Sequence, residues 1–171
     1  MHWCSRHGGI NNALLLQKTH QRDQSIEAMR RITSLVNSPS ALDEILHDAL
    51  QEAGSLFQAD AGSIFLFDES TGIMRAHLPS AFGVPGEETE QLSRFNIKPS
   101  AFGMTVAGSQ HAFMFGDLAR DRRVLPIYRP VVQKLSLASG MAVPLIVQGK
   151  GIGEIMFGAQ KKDLFSKFAY S

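Results

Sequence analysis

The chain has 171 residues, 44% apolar and 19% charged, and 17 Lys plus Arg against 16 Asp plus Glu give a formal net charge of +1. That balance supplies neither a basic face for nucleic acid nor an acidic tail, and the length can bury a core without a metal or disulfide staple. Cys4 is the single cysteine, which excludes an internal disulfide and an all-cysteine metal site. Apolar runs such as "MAVPLIV" fall short of the roughly 20 residues that span a bilayer. "MHWCSRHGG" lacks the apolar core of a signal peptide, so the chain reads as cytoplasmic, with no membrane contact and no nucleic-acid partner.

Residues 1–11 read as a disordered lead. Residues 12–37 contain neither proline nor glycine and are rich in helix formers, which predicts one long helix. Within it Ile26, Met29, Thr33 and Val36 recur at three- and four-residue steps, as in a short coiled-coil seam. That seam points to a homodimer through this helix. "NSPS" then breaks the pattern, with Ser40 as N-cap and Asp43 as its reciprocal partner. Leu42, Ile45, Leu46, Ala49, Leu50, Ala53, Leu56 and Phe57 follow at helical spacing and predict an apolar face against a sheet. On the opposite side His47, Asp48, Gln51 and Glu52 are expected to meet water.

"AGSIFLFDESTGIMRAHL" reads as a hairpin over residues 62–67 and 73–78, turned by "DESTG". Residues 87–94 predict a short helix or turn and 94–97 a short strand. Residues 100–109 predict a second short helix, and 112–115 another strand. "GDLARDRRVLP" is a polar connection, in which Asp117 and Asp121 lie among Arg120, Arg122 and Arg123, a spacing better suited to a salt-bridged loop than to paired acid and base. Residues 127–135 predict a helix, and 140–147 and 152–159 the last two strands. The glycines of "QGKG" between those strands sit where a tight hairpin turn belongs. A P-loop would need Ser or Thr after its lysine, and Lys150 is followed by Gly151. A dinucleotide fingerprint would run into a helix, and "EIMFGA" reads as a strand. Gly153 and Gly158, inside a strand, predict a bulge or the close approach of another backbone. The order of elements makes an α+β domain with a central antiparallel sheet, a helix on one face, and loops with short helices on the other.

"LDEILHDALQEAGSLFQADAGSIFLFDESTG", "GDLARDRR" and "SGMAVPLIVQGKGIGEIMFGAQ", in that order, resemble the opening helix and strand, the polar loop and the closing hairpin of GAF domains. The resemblance covers about residues 41–168, within a domain expected over 40–171. It implies a sensory module of bacterial signalling proteins that binds a small molecule between sheet and middle loops, or one that only dimerises. It also implies that residues 12–37 act as a signalling helix and that "FSKFAYS" opens a final helix leading to an output domain such as a histidine kinase, cyclase or phosphatase.

The resemblance names no cofactor. A covalent bilin needs a cysteine inside the domain, and Cys4 lies outside it. Haem needs an axial histidine, and only His77 and His111 lie near predicted strands. The cyclic-nucleotide motif of the family keeps Phe165 but has Gln160 for its Asn and Ala169 and Tyr170 for its Asp-Glu. An enzyme using Asp117 or a histidine is the remaining alternative. Ser63 and Phe65 share one face of a strand. With Phe82, Phe95, Phe102, Met104, Met114 and Met141 they form the expected pocket wall, a polar group among aromatic and thioether side chains.

Overall fold

The structure, a computed structural model, describes residues 13, 15–20, 22–24, 26–27, 39–86 and 93–168. The chain divides into two units, residues 1–42 and 43–171. The described residues between 13 and 27 are helical and exposed, as the sequence predicts, and Ile26 is among them. Met29, Thr33 and Val36, the remainder of the predicted seam, lie outside the described residues. So do residues 1–11, most of the turn expected over 87–94, Ala169 and Tyr170.

Helix α1 (Pro39–Phe57) begins before Ser40, so Ser40 lies inside the helix and is not its N-cap. Asp43 places Oδ1 at 2.8 Å from His77 Nε2. The buried side of α1 is also rolled from the expected one. Leu50 is buried and Leu46, Ala53 and Phe57 pack beside it, but Ile45 and Leu56 are 55% and 76% exposed. The reason is a notch at Gly54, where an added Cβ would overlap the Phe82 ring. Seating that ring turns Asp43 and His47 inward, and both are half-buried. His47 is therefore not the solvated residue the periodicity implied. Its Nδ1, like that of His77, is shielded and has no hydrogen-bond partner among the described residues.

Strands β1 (Ala61–Asp68), β2 (Ile73–Ala76), β3 (Arg94–Asn96), β4 (Phe113–Phe115), β5 (Ser139–Val147) and β6 (Lys150–Ala159) form one antiparallel sheet in the order β3-β2-β1-β6-β5-β4. Both edge strands are three residues long. Asp68 ends β1 and accepts from the Ser70 amide at 2.9 Å, and Gly72 supplies the positive φ of +70° that closes the turn into β2. The expected helix over 100–109 is two short ones, α2 (Pro99–Phe102) and α3 (Val106–Ser109). Thr105 separates them because its hydroxyl accepts the Gly108 amide at 3.0 Å and caps α3. Helix α4 (Arg129–Lys134) follows a 3₁₀ turn over Pro126–Tyr128. The polar connection is a salt-bridged loop: Arg123 Nη2 lies 2.7 Å from Asp121 Oδ2, and Lys162 Nζ 2.8 Å from Asp117 Oδ2.

The sheet separates two cores. Leu50, Ile64, Met141, Phe157, Leu164 and Phe165 cluster on the α1 side. Phe65, Met74, Phe95, Ile97, Phe115 and Tyr128 belong to the cluster on the other side, beneath the middle segment. Alternation along β1 sends Ile64 to one core and Phe65 to the other.

Between β5 and β6 only Gln148 and Gly149 turn the chain, at φ +51° and +77°. Two positive φ values in a two-residue loop suit the right-handed twist of a hairpin. Lys150 already pairs with Val147 in the ladder, and its Nζ reaches Glu69 Oε2 at 2.7 Å across the surface. The glycines make a strand-to-strand hairpin turn, not the strand-to-helix loop of a phosphate cradle. Lys150→Ala should therefore change stability by less than about 1 kcal/mol, the range of exposed ion pairs. Isothermal titration with ATP, GTP and cyclic GMP should give no heat with either protein; heat abolished by the substitution would restore the phosphate reading.

Candidate ligand pocket

The middle segment does not fill the space over the sheet. It leaves a cavity of about 140 Å³ between the sheet and the elements from α3 to α4. β1 supplies Ser63 and Phe65, and β6 supplies Met156 and Glu154 directly opposite them in register. β3 contributes Phe95, β4 Phe113 and Phe115, and the turn before α4 contributes Tyr128. The rings brace one another: Phe95 lies 5.6 Å from Phe65 and meets Tyr128 edge-on at 4.8 Å between centroids.

Glu154 is fully buried. A carboxyl group there needs hydrogen bonds to offset its desolvation, and it has them. Tyr128 Oη donates to Oε1 at 3.2 Å and the Ala107 amide to Oε2 at 3.0 Å. α3 can bring that amide so close because β6 carries Gly151, where a Cβ would collide with the Ala107 carbonyl. Burial pushes the Glu154 carboxyl above its ordinary pKa, against the pull of those donors. Burial, followed by the neighbouring Glu154, pushes the Tyr128 hydroxyl up strongly. At the rim, Arg123 is held through Nε and Nη2. Its guanidinium pairs with Asp121, donates to the Met114 carbonyl at 2.8 Å and lies over the Phe113 and Phe115 rings at 5.3 and 4.9 Å. Its hydrogen bond holds the Asp121 carboxyl below the usual range.

These shifts have opposite consequences for stability. Glu154, with a folded pKa above its unfolded one, contributes most below the ordinary value of 4.5, and that contribution is lost as pH rises through the folded pKa. Asp121 behaves conversely: its contribution is present above the ordinary value of 3.8 and is lost as pH falls through the depressed one. Urea unfolding of the protein and of Glu154→Gln, at about pH 4 and about pH 8, isolates the first effect. Stability relative to the variant should fall with rising pH; a constant difference would show that Glu154 does not titrate in that range.

Of the residues expected to form the wall, Ser63, Phe65, Phe95, Met104 and Met141 line the cavity. Ser63 Oγ makes only a long bond, 3.3 Å, to the Ile64 carbonyl. Met141 borders the cavity while also packing in the α1-side core. Phe82 and Met114 do not reach the cavity; both pack on the α1 side. Phe102 stacks on Phe67 at 4.3 Å instead of lining the space. Glu154 and Tyr128 were not anticipated. The available signal was a lone acid inside the apolar strand "IGEIMFGA", a position that requires buried partners.

No curated protein matches the sequence. Among solved structures, the chain is similar to the GAF domain of an Acinetobacter phosphoenolpyruvate-protein phosphotransferase, at 19% identity and TM-score 0.57 over 85% of this chain and 83% of that one. A domain assigned to a two-component sensor histidine kinase of Sinorhizobium meliloti 1021 is similar at 19% identity and TM-score 0.54, over 78% and 84%. So is a Staphylococcus aureus NreA protein mutated in its nitrate-binding site, at 18% identity and TM-score 0.54, over 71% and 86%. At these identities the likeness shows the fold. The GAF domain family model matches residues 39–168, which contain all six strands, α1 and the cavity wall, and the chain belongs to the GAF domain family.

Proposed function

We propose that this GAF domain is a non-catalytic sensor of a signal-transduction protein. A small apolar or aromatic molecule occupies the cavity, and its occupancy is passed to a linked output domain through paired N-terminal helices of a homodimer. The observation that carries this reading is the cavity of about 140 Å³, walled by aromatic rings and holding a few buried polar groups, the composition of small-ligand sites. Kinship with a sensor-kinase domain is compatible with a signalling role, and histidine kinases, cyclases and phosphatases are the outputs to test. Occupancy would shift the segment between residues 79 and 137 and re-angle the leading helix. A ligand drives such a change only through its differential affinity for the two arrangements.

The test is thermal melting of the whole chain against metabolite and cyclic-nucleotide libraries. A ligand at a hundredfold excess over its dissociation constant stabilises by about 2.7 kcal/mol. If no compound moves the melting temperature, the domain serves dimerisation alone, a reading favoured by the exposed Ile45 and Leu56 on α1. Light scattering on the whole chain and on Ile26→Asp tests the coupling: the first should be a dimer and the second a monomer. Monomers of both at high micromolar concentration would end the dimer-helix mechanism.

A further inference from the structure

The polar side chains deep in the cavity wall are already spent. Glu154 is fully buried, and its oxygens accept from Tyr128 and from the backbone at Ala107 and Val106. The Thr105 hydroxyl donates to the Phe102 carbonyl and accepts the Gly108 amide. What an entering molecule meets there is apolar, with the rings of Phe65, Phe95, Phe113 and Phe115 in the wall. The rim differs. Arg123 borders the cavity, and its side chain is 49% exposed. A guanidinium carries five N–H donors. Three are used, two by Asp121 and one by the Met114 carbonyl, and the two on Nη1 have no hydrogen-bond partner among the described residues. Asp121 and the Phe113 and Phe115 rings hold the side chain in place. A partner at Nη1 therefore meets a donor that is already ordered.

We propose that the cavity recognises a small monocarboxylic acid, with an apolar single-ring body in the cavity and the carboxylate at the rim on Arg123 Nη1. The proposal rests on the ligand-sensing reading above and names the chemical class of the ligand. A cavity of ~150 Å³ holds one benzene ring, and this one measures about 140 Å³. A single ring fills that space and leaves its substituent at the mouth. There a carboxylate keeps part of its hydration and gains a charge-assisted hydrogen bond from the donors that Asp121 leaves over. Deeper in, the same charge would be unpaired, which sets the orientation: ring inward, carboxylate outward. Asp121 offsets part of the guanidinium charge and solvent screens the rest, so the expected preference is severalfold.

Benzoate and nitrobenzene have nearly the same shape and differ in charge. Their dissociation constants for the whole chain and for Arg123→Gln, measured by NMR titration at about pH 7, where a carboxylate is ionised, decide the matter. Arg123→Gln should weaken benzoate about fivefold and nitrobenzene by less than about twofold. In the unsubstituted protein, raising NaCl from about 0.01 M to about 1 M shortens the screening length from about 30 Å to about 3 Å. Benzoate should bind severalfold more weakly at the higher salt, and nitrobenzene should not. Binding of nitrobenzene without benzoate overturns the carboxylate while leaving a ligand pocket in place. Equal losses of the two in Arg123→Gln, or a benzoate affinity independent of salt, overturn the role of Arg123. Absence of binding by both overturns the single-ring acid, and the ligand-sensing reading then stands or falls on the library melts alone. The salt comparison uses the unsubstituted protein and is decisive even if the variant fails to fold.

Discussion

Phe165→Ala lowers the unfolding free energy by about 3–5 kcal/mol, the cost of emptying a well-packed aromatic site. Phe165 is fully buried and belongs to the α1-side core with Leu50, Phe157 and Leu164. It lies beyond the last strand, so its ring ties the segment after β6 back to α1. The neighbouring Phe168 closes the same contact, meeting Phe57 edge-on at 5.0 Å. Against a total of roughly 5–15 kcal/mol for a domain, the loss removes a large fraction of stability and lowers the melting temperature by about 10 °C or more. Urea unfolding measures it. A loss below about 1 kcal/mol would mean that the segment after β6 does not dock on α1. Phe168→Ala, at a half-buried site, should cost clearly less.

Gly153→Val is expected to cost about 3 kcal/mol or to prevent folding. Gly153 pairs with Leu66 and Leu145 in the middle of the sheet, next to a register shift in the β5–β6 ladder. A Cβ built there falls on the Phe65 carbonyl oxygen. Backbone, unlike a flexible side chain, has nowhere to retreat, and forced overpacking ordinarily costs about 1–3 kcal/mol even where side chains can adjust. The strands would separate beside Glu154, so the substitution should also disturb the cavity. Two-dimensional NMR spectra of the variant should show shifts along β1 and β6; a spectrum and stability close to the parent would show that the sheet accommodates the methyl groups elsewhere.

The sheet was legible in the sequence because each of its signals is local. Alternation places Ser63 and Phe65 on one face, Asp68 and Gly72 carry the chemistry of one turn, and Gly149 that of another. The orientation of α1 was less legible. Its apolar positions span more than one stripe, and the choice among them depends on Gly54 accepting Phe82, a contact across 28 positions that periodicity does not encode. The pocket divided along the same line. Ser63 and Phe65, placed by strand alternation, border the cavity, and so does Phe95, which was named from the Phe- and Met-rich composition of the middle segment. Phe82 lies in a loop, Phe102 at the end of the short helix α2 and Met114 on an edge strand, positions whose facing is fixed by tertiary contacts, and composition could not sort them. Glu154 was missed because an acid in a strand ordinarily reads as the solvent face. Its partners, Ala107 and Tyr128, come from segments with no motif of their own.

The brevity of β3 and β4 has a consequence for how copies of this domain can meet. Each edge offers three residues, too few unpaired backbone groups to template a further strand, and this is one of the ways natural sheets avoid joining edge to edge. Association of the described unit is thereby steered away from backbone pairing and towards side chains, where a single substitution can tune or abolish it. A domain that exchanges partners or reports on a ligand benefits from that arrangement. Contacts made by side chains can be reversible and register-specific, whereas a continuous sheet between copies would be slow to undo and indifferent to what occupies the cavity.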